Sequence, residues 1–189
     1  PWAAAGALHV AGATAYAAVR AVTLAEGDTV VVSGAAGGVG SIAVQLAKRA
    51  RATVIGLAGP ANHEWLAGHG VIPVAYGDGV ADRIRQAAGT VDAFIDTFGA
   101  DYVQLALDLG VEPSRIDTIA NFEAIEKYGV KGDGSAAGAG AGTLALLGGL
   151  IAAGELEVPV TAAYPLALVR DAYRRLEPGH ILGKIVLLP

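Results

Sequence analysis

A glycine-rich turn is the part of this sequence whose residue types and spacing are best suited to bind a ligand. The β-branched residues 30–32 lead into residues 33–40, and an amphipathic helical pattern follows directly. Ala35, Gly37 and Gly40 take the glycine positions of a G-x-G-x-x-G pattern. Gly37 would let the backbone approach a phosphate, and Gly40 would let the helix approach the strand. Free N–H groups from Gly38 onward would face the anion, helped by the helix dipole. This context predicts a site for a dinucleotide pyrophosphate, formed by Gly34, Ala36, Gly37, Gly38, Val39 and Gly40.

The composition excludes several classes of protein. The formal net charge is −5 and no basic stripe is present, which argues against a nucleic-acid partner. The sequence has no Cys, and its four His are scattered without ligand spacing, so we expect neither a disulfide nor a metal site. We find no signal peptide and no membrane span, and we expect a soluble, cytoplasmic protein. Met is absent even at position 1, and we therefore expect a processed, trimmed or fragmentary chain.

Short apolar runs alternate with helical patterns from about residue 29 onward. Strands are predicted at residues 29–33, 53–57, 72–75, 91–96 and 115–119, and helices at 38–49, 63–68, 80–88 and 100–109. The alternation predicts an α/β fold, a Rossmann doubly wound parallel sheet with helices on both faces.

Less regular segments surround this core. We predict a helix at residues 12–24, a helix at 122–128 that is capped by Asn121, and a helix at 135–154 that frays or begins late because glycine dilutes its first half. A strand–helix–strand unit is predicted at the end of the chain, at residues 157–164, 165–176 and 183–188.

Several ordered segments resemble the medium-chain dehydrogenase/reductases, and within them the zinc-free quinone oxidoreductase branch. They are residues 12–16, 27–32, 35–40, 45–48, 92–99 and 183–187; residues 107–111 and 115–119 resemble actinobacterial NADP-dependent oxidoreductases. The resemblance implies hydride transfer from a nicotinamide to a quinone or enone. It also implies an N-terminal GroES-like catalytic domain that this chain lacks, and on which residues 157–188 would pack.

The end of the second strand bears on cofactor choice. Residues 55–59 contain no acid to hold a ribose 2′-hydroxyl, and this favours NADP(H) over NAD. The Ser and the Lys or Arg that the family usually places in the following loop are absent. Candidate replacements beside Ala58 and Gly59 are Asn62, His63 and Tyr76. His63 could equally be a solvated residue at a helix start, and Tyr76 a half-buried aromatic; the resemblance places Tyr76 near the adenosine end.

The resemblance also implies contacts at the nicotinamide end. It places Thr97, Phe98 and Gly99 against the ribose, and backbone groups of Ile119 and Ala120 near the carboxamide. Thr14 and Tyr16 are further candidates. Asp96 is interpreted as a strand-end residue that binds local N–H groups. No side chain of this chain is expected to act as a catalytic acid or base, because the cofactor carries the chemistry.

We therefore predict a dinucleotide-binding domain at residues 1–156 and a segment at 157–189 that packs on the absent domain. The resemblance implies a homodimer through the sheet edge near residues 127–131, and an unpaired edge would also be a liability for the fold. The small-molecule electrophile would be bound only by the intact enzyme. Two alternatives stay open: a truncated, non-catalytic module that binds a nucleotide or a partner, and a redesigned enzyme of another class on the same fold.

Overall fold

The computed structural model describes residues 2–189, and its centre is a five-stranded parallel sheet. The strands are β1 Thr29–Val32, β2 Thr53–Leu57, β3 Ile72–Val74, β4 Ala93–Asp96 and β5 Ile116–Thr118. Their spatial order is β3-β2-β1-β4-β5, and every neighbouring pair is parallel. This is the strand order of a doubly wound Rossmann sheet. Strands β2 and β3 are added on one side of β1, and strands β4 and β5 are added on its other side. The predicted fold class is confirmed, with small shifts at the strand ends.

Both faces of the sheet are covered by helices. These are α2 Gly40–Arg49, α3 His63–Gly68, α4 Val80–Ala88 and α5 Tyr102–Asp108. Successive residues of β1 point to opposite faces, as the pleat requires. Val30 and Val32 pack in one buried layer with Ile42 of α2, and Val31 packs in the other with Ile84 of α4. The predicted helix at 38–49 begins two positions late because residues 38 and 39 belong to the turn.

The first helix, α1 Trp2–Ala21, is longer than predicted. The expected start at residue 12 is wrong because the preceding residues are mainly alanine, which favours a helix without producing an apolar stripe. Pro1, with which the first predicted domain begins, lies outside the described residues. None of the helices within residues 2–189 is long and apolar enough to cross a membrane.

Residues 119–159, which follow β5, contain three helices. In α6 Phe122–Tyr128, the Asn121 side chain accepts the Ala124 N–H at 3.1 Å, which confirms the predicted cap. The glycine-diluted segment forms a short α7 Ser135–Gly138 and then α8 Ala141–Ala152, so the regular helix does begin late. Gly138 lies so close to the Ala13 carbonyl that a Cβ would overlap it. The glycines therefore weaken the helix locally but let α7 pack tightly on α1.

The end of the chain forms the predicted strand–helix–strand unit. Its elements are β6 Val160–Pro165, α9 Val169–Leu176 and β7 Lys184–Leu188, and β6 and β7 pair in parallel as a separate two-stranded sheet. The strand starts later than predicted because residues 157–159 run along α2 instead. There, Gln45 exchanges two hydrogen bonds with the backbone of Glu157.

Candidate functional site

The glycine turn connects β1 to α2 at the carboxyl edge of the sheet. Gly34 has a φ of +56°, a left-handed conformation that glycine adopts without a Cβ penalty. A Cβ on Gly40 would overlap the backbone of Gly34 and Ala35, so only glycine lets the first turn of α2 approach the end of β1. The Gly37 N–H donates to the Gly34 carbonyl at 2.8 Å and closes the turn.

Three consecutive N–H groups of this turn remain free. Those of Gly38, Val39 and Gly40 donate to no group within residues 2–189. They lie at the N-terminal end of α2, where the helix dipole adds partial positive charge. The turn can therefore bind an anion such as a pyrophosphate through its backbone alone.

The C-terminal segment completes the turn from outside. The Gly183 N–H donates to the Ala36 carbonyl at 2.7 Å, and the side chain of Lys184 lies against Gly38. A cationic side chain thus lies beside the free N–H groups. The sequence did not predict a role for Lys184. The only feature that pointed to this residue was the resemblance of residues 183–187 to the family pattern.

A cleft of about 880 Å³ opens in front of the turn. It brings together many of the predicted site residues, which are Gly34, Ala36, Gly37, Gly38, Val39, Ala58, Gly59, Asn62, Tyr76, Thr97 and Phe98. It also contains residues that the sequence did not single out, among them Val80, Asp101, Tyr102, Leu105, His180 and Lys184. Its lining runs from the end of β2 past the end of β1 to the end of β4, the edge at which such sheets bind dinucleotides.

Other predicted residues lie outside the lining of this cleft. They are Thr14, Gly40, His63, Gly99, Ile119 and Ala120. The Thr14 hydroxyl donates to the Val10 carbonyl within α1 at 2.7 Å. His63 Nε2 lies 3.0 Å from the Ala58 carbonyl oxygen, so its imidazole supports the end of β2. Tyr16 lines a separate pocket of about 410 Å³.

The end of β2 carries neutral groups. Residues 57–62 contain no acidic or basic side chain. Tyr76, from the loop after β3, lies over Gly59, and its hydroxyl is 2.6 Å from Nδ1 of His180. The Asn62 amide donates to the His180 carbonyl at 3.5 Å. Three separate parts of the chain therefore meet where a Rossmann domain holds the adenosine ribose.

Asp96, at the end of β4, has its hydrogen-bonding capacity filled by local donors. The buried carboxylate accepts the Ser33 hydroxyl at 2.6 Å and the Thr118 hydroxyl at 2.7 Å. It also accepts the N–H groups of Phe98 and Gly99 at 3.1 and 2.9 Å. The interpretation of Asp96 as a strand-end residue is confirmed, and its role is to hold the ends of β1, β4 and β5 together.

An aromatic pair forms the opposite wall of the cleft. The exposed ring of Phe98 meets that of Tyr102 edge to face, with centroids 5.7 Å apart. Burial, with a smaller contribution from the charge of Asp96, raises the pKa of Tyr102, so its phenol stays neutral at physiological pH. This wall offers an apolar surface against which a planar ring can pack.

The described residues do not fit a metal centre. Among residues 2–189, no group of three or more His, Cys, Asp or Glu side chains is placed to hold a metal ion.

The fold and the glycine turn together define a Rossmann-type dinucleotide-binding domain. The family model described as zinc-binding dehydrogenase matches residues 67–187, nearly two thirds of the sequence. The chain therefore belongs to this family, and it carries the α/β domain of the medium-chain dehydrogenase/reductases. Residues 2–189 do not contain the cluster of ligands that the zinc in the family name would need.

Known proteins resemble the chain over most of its length. It is 30% identical to erythronolide synthase EryA2 of Saccharopolyspora erythraea, over 97% of this chain and 6% of that protein. It is 28% identical to acryloyl-coenzyme A reductase of Metallosphaera sedula, over 91% of this chain and 54% of the reductase. The quinone oxidoreductase of Coxiella burnetii superposes with a TM-score of 0.80 at 29% identity, over 94% of this chain and 57% of the other. The chain thus spans little more than half of the reductase and of the quinone oxidoreductase, and a small part of the synthase.

Proposed function

We propose that this chain is the NADP(H)-binding domain of an oxidoreductase that transfers hydride to a quinone or an enone-type substrate. The observation that carries the proposal is the glycine turn, with the free N–H groups of Gly38, Val39 and Gly40 at the start of α2. Their position at the carboxyl edge of a doubly wound sheet matches the place where such sheets bind dinucleotides.

The substrate class is supported by two relatives. Quinones and acryloyl thioesters, which the names of these relatives specify, both contain a carbon–carbon double bond conjugated to a carbonyl. The bound nicotinamide would supply the hydride for such an electron-poor carbon. The residues of this chain would hold and orient the cofactor: the turn and Lys184 at the pyrophosphate, and Thr97 and Phe98 at the carboxyl end of β4.

A preference for NADP(H) over NAD(H) is part of the proposal. No carboxylate follows β2 to accept the ribose diol of NADH or to repel a 2′-phosphate. Neither Lys nor Arg lies in residues 57–62, so the preference should be modest, about tenfold or 1.4 kcal/mol.

We further propose that residues 1–156 form the dinucleotide-binding domain and that residues 157–189, besides the side chains that they contribute to the cleft, serve to contact a catalytic domain. The exposed apolar side chains of the latter segment support this division; they are Leu166, Leu168, Tyr173, Leu176, Leu187 and Leu188. A homodimer through the sheet edge beside Lys131, where the backbone pairs with β5, and a cytoplasmic location complete the proposal.

Calorimetric titrations with NADPH and NADH, followed by steady-state assays with a quinone and an enone, test the proposed function. We expect binding of both dinucleotides but little turnover, because one domain cannot hold an acceptor at attack distance and exclude water. Activity should return when a GroES-like domain is added. The absence of binding would contradict the proposal, and rapid turnover by the 189-residue chain would favour a redesigned enzyme. Binding without turnover even after domain addition would favour a non-catalytic module.

Light scattering tests the proposed homodimer. A measurement that shows only monomers would contradict the dimer.

A further inference from the structure

A second pocket, of about 410 Å³, lies between the C-terminal end of α1 and the segment that follows α6. Its polar lining residues are Tyr16, Arg20, Thr23, Lys131 and Asp133, and the rest of its lining is alanine. None of these residues lines the cleft in front of the glycine turn. Sites for small molecules have volumes of about 300–1,000 Å³. The pocket therefore has room for a small ligand, apart from the place where a dinucleotide would bind.

The wall that α1 forms carries one cation and two hydroxyl groups. The Arg20 guanidinium lies 5.7 Å from the centroid of the Tyr16 ring and donates to the Tyr16 hydroxyl at 3.4 Å. Thr23 has a φ of +47°, which is uncommon for a β-branched residue, and its N–H donates to the Arg20 carbonyl at 3.1 Å. This turn keeps the Thr23 side chain in the lining of the pocket. The wall thus offers N–H and O–H donors of the kind that bind a carboxylate.

The other wall is attached to the edge of the sheet. Lys131 pairs with β5 through its backbone, and the Asp133 N–H donates to the buried carboxyl of Asp117 at 2.7 Å. The Lys131 ammonium is already engaged, because it donates to the Ala21 carbonyl at the end of α1. The Asp133 carboxylate accepts no hydrogen bond from residues 2–189. It is therefore the group of this wall that remains available to a ligand.

Arg20 and Asp133 have opposite charges and line the same pocket, yet neither forms an ion pair within residues 2–189. Their charged groups are too far apart to pair with each other. A simple anion would be repelled by Asp133, and a simple cation would be repelled by Arg20. A ligand that carries both a carboxylate and an ammonium pairs with both side chains at once. The negative end of the α1 dipole also favours the ammonium.

We propose that this pocket is a second ligand site and that it binds a small zwitterion of the amino-acid type. The Arg20 guanidinium and the Tyr16 hydroxyl bind the carboxylate, and the Asp133 carboxylate binds the ammonium. The alanines of the lining contact the apolar part of the ligand. Because the pocket and the cleft share no lining residue, occupancy of this site does not require a dinucleotide.

A thermal-shift screen of the common L-amino acids at millimolar concentration identifies the ligand, and calorimetry then measures its affinity. We expect at least one amino acid to raise the Tm of the chain by about 2 °C or more. Two analogues of that amino acid are matched controls: its N-acetyl derivative lacks the ammonium, and its amide lacks the carboxylate. Each analogue leaves one charge of the pocket unpaired and should bind at least about tenfold more weakly.

Two substitutions assign the ligand to this pocket. Arg20→Gln and Asp133→Asn should each weaken amino-acid binding at least about tenfold, while the Tm of the ligand-free chain stays within about 2 °C of the wild type. Arg170→Gln and Asp78→Asn make the same chemical changes at exposed positions outside both pockets. These two control variants should bind the amino acid as the wild type does.

Three results would overturn the inference. They are a screen in which no amino acid raises the Tm, equal binding of either analogue, and unchanged affinity in Arg20→Gln and Asp133→Asn. If either variant unfolds, Tyr16→Phe replaces it, since this change removes only a hydroxyl and should weaken binding by about threefold or more. An unchanged affinity in Tyr16→Phe would then count against the site.

Discussion

Gln45 and Glu157, 112 positions apart, form a reciprocal pair of hydrogen bonds: the Gln45 amide donates to the Glu157 carbonyl at 2.9 Å and accepts the Glu157 N–H at 2.8 Å. The same amide also donates to the Ser41 carbonyl at 2.7 Å. The buried side chain thus pairs with the backbone of the segment that follows α8, in the way that a neighbouring strand would. It fixes the point from which β6 begins.

Replacing this amide should destabilise the domain. Gln45→Ala leaves an N–H and a carbonyl of Glu157 without partners, and we expect a loss of about 1–2 kcal/mol in the free energy of unfolding. Urea denaturation followed by circular dichroism measures it. Gln86→Ala, on the exposed face of α4, is the control and should change stability by less than about 0.5 kcal/mol. Equal effects of the two substitutions would show that the Gln45 pair contributes nothing specific.

The glycine turn gives a prediction about binding. Gly37→Asp places a carboxylate in the turn where a phosphate should lie, and NADPH affinity should fall about tenfold or more. Gly68→Asp makes the same chemical change at an exposed position with open space around it, and its affinity should match the wild type. Calorimetry on both variants tests the assignment, which an unchanged affinity in Gly37→Asp would refute.

The close approach of α7 to α1 gives a prediction about packing. Gly138→Ala would force its Cβ into the Ala13 carbonyl, and the displacement should cost about 1–3 kcal/mol. Gly142→Ala, in α8, meets open space and should instead stabilise the chain by about 0.5–1 kcal/mol. Thermal unfolding of the two variants should therefore shift in opposite directions. A shift in the same direction would mean that the two helices separate without penalty.

Asp117 should make stability depend on pH. Burial, with smaller contributions from Asp133 and Asp96, raises the pKa of this β5 carboxyl to about 6, against the opposing Asp133 N–H bond and Lys131 charge. The folded state therefore holds the proton more tightly than the unfolded chain does. Stability should decrease as the pH rises from about 4 to 6, by about 2 kcal/mol from this group.

Substitutions isolate this contribution. Asp117→Asn should remove the decrease between pH 4 and 6, whereas Asp82→Asn, which changes an exposed carboxyl on α4, should leave it in place. Denaturant titrations across this pH range give the comparison. An unaltered slope in Asp117→Asn would show that Asp117 is ionised throughout the range.

The sequence predicted the sheet because each strand is a short apolar run that is bounded by Gly, Pro or Asp. It predicted the glycine turn because all of its parts lie within a dozen residues. The alanine-rich start of α1 gave no periodic signal, and its burial depends on α2 and α8. His180 and Lys184 were missed as site residues because their partners, Tyr76 and Gly38, lie more than a hundred positions away. Only the folded chain brings them together.

The hydrogen bond from Gly183 to Ala36 has a consequence for the order of events during synthesis. The turn that follows β1 emerges from the ribosome early, together with the helix that presents its N–H groups. Its outer contacts with residues 183 and 184 exist only after the other elements have been translated. A nascent chain can therefore form the parallel sheet well before its anion site is finished.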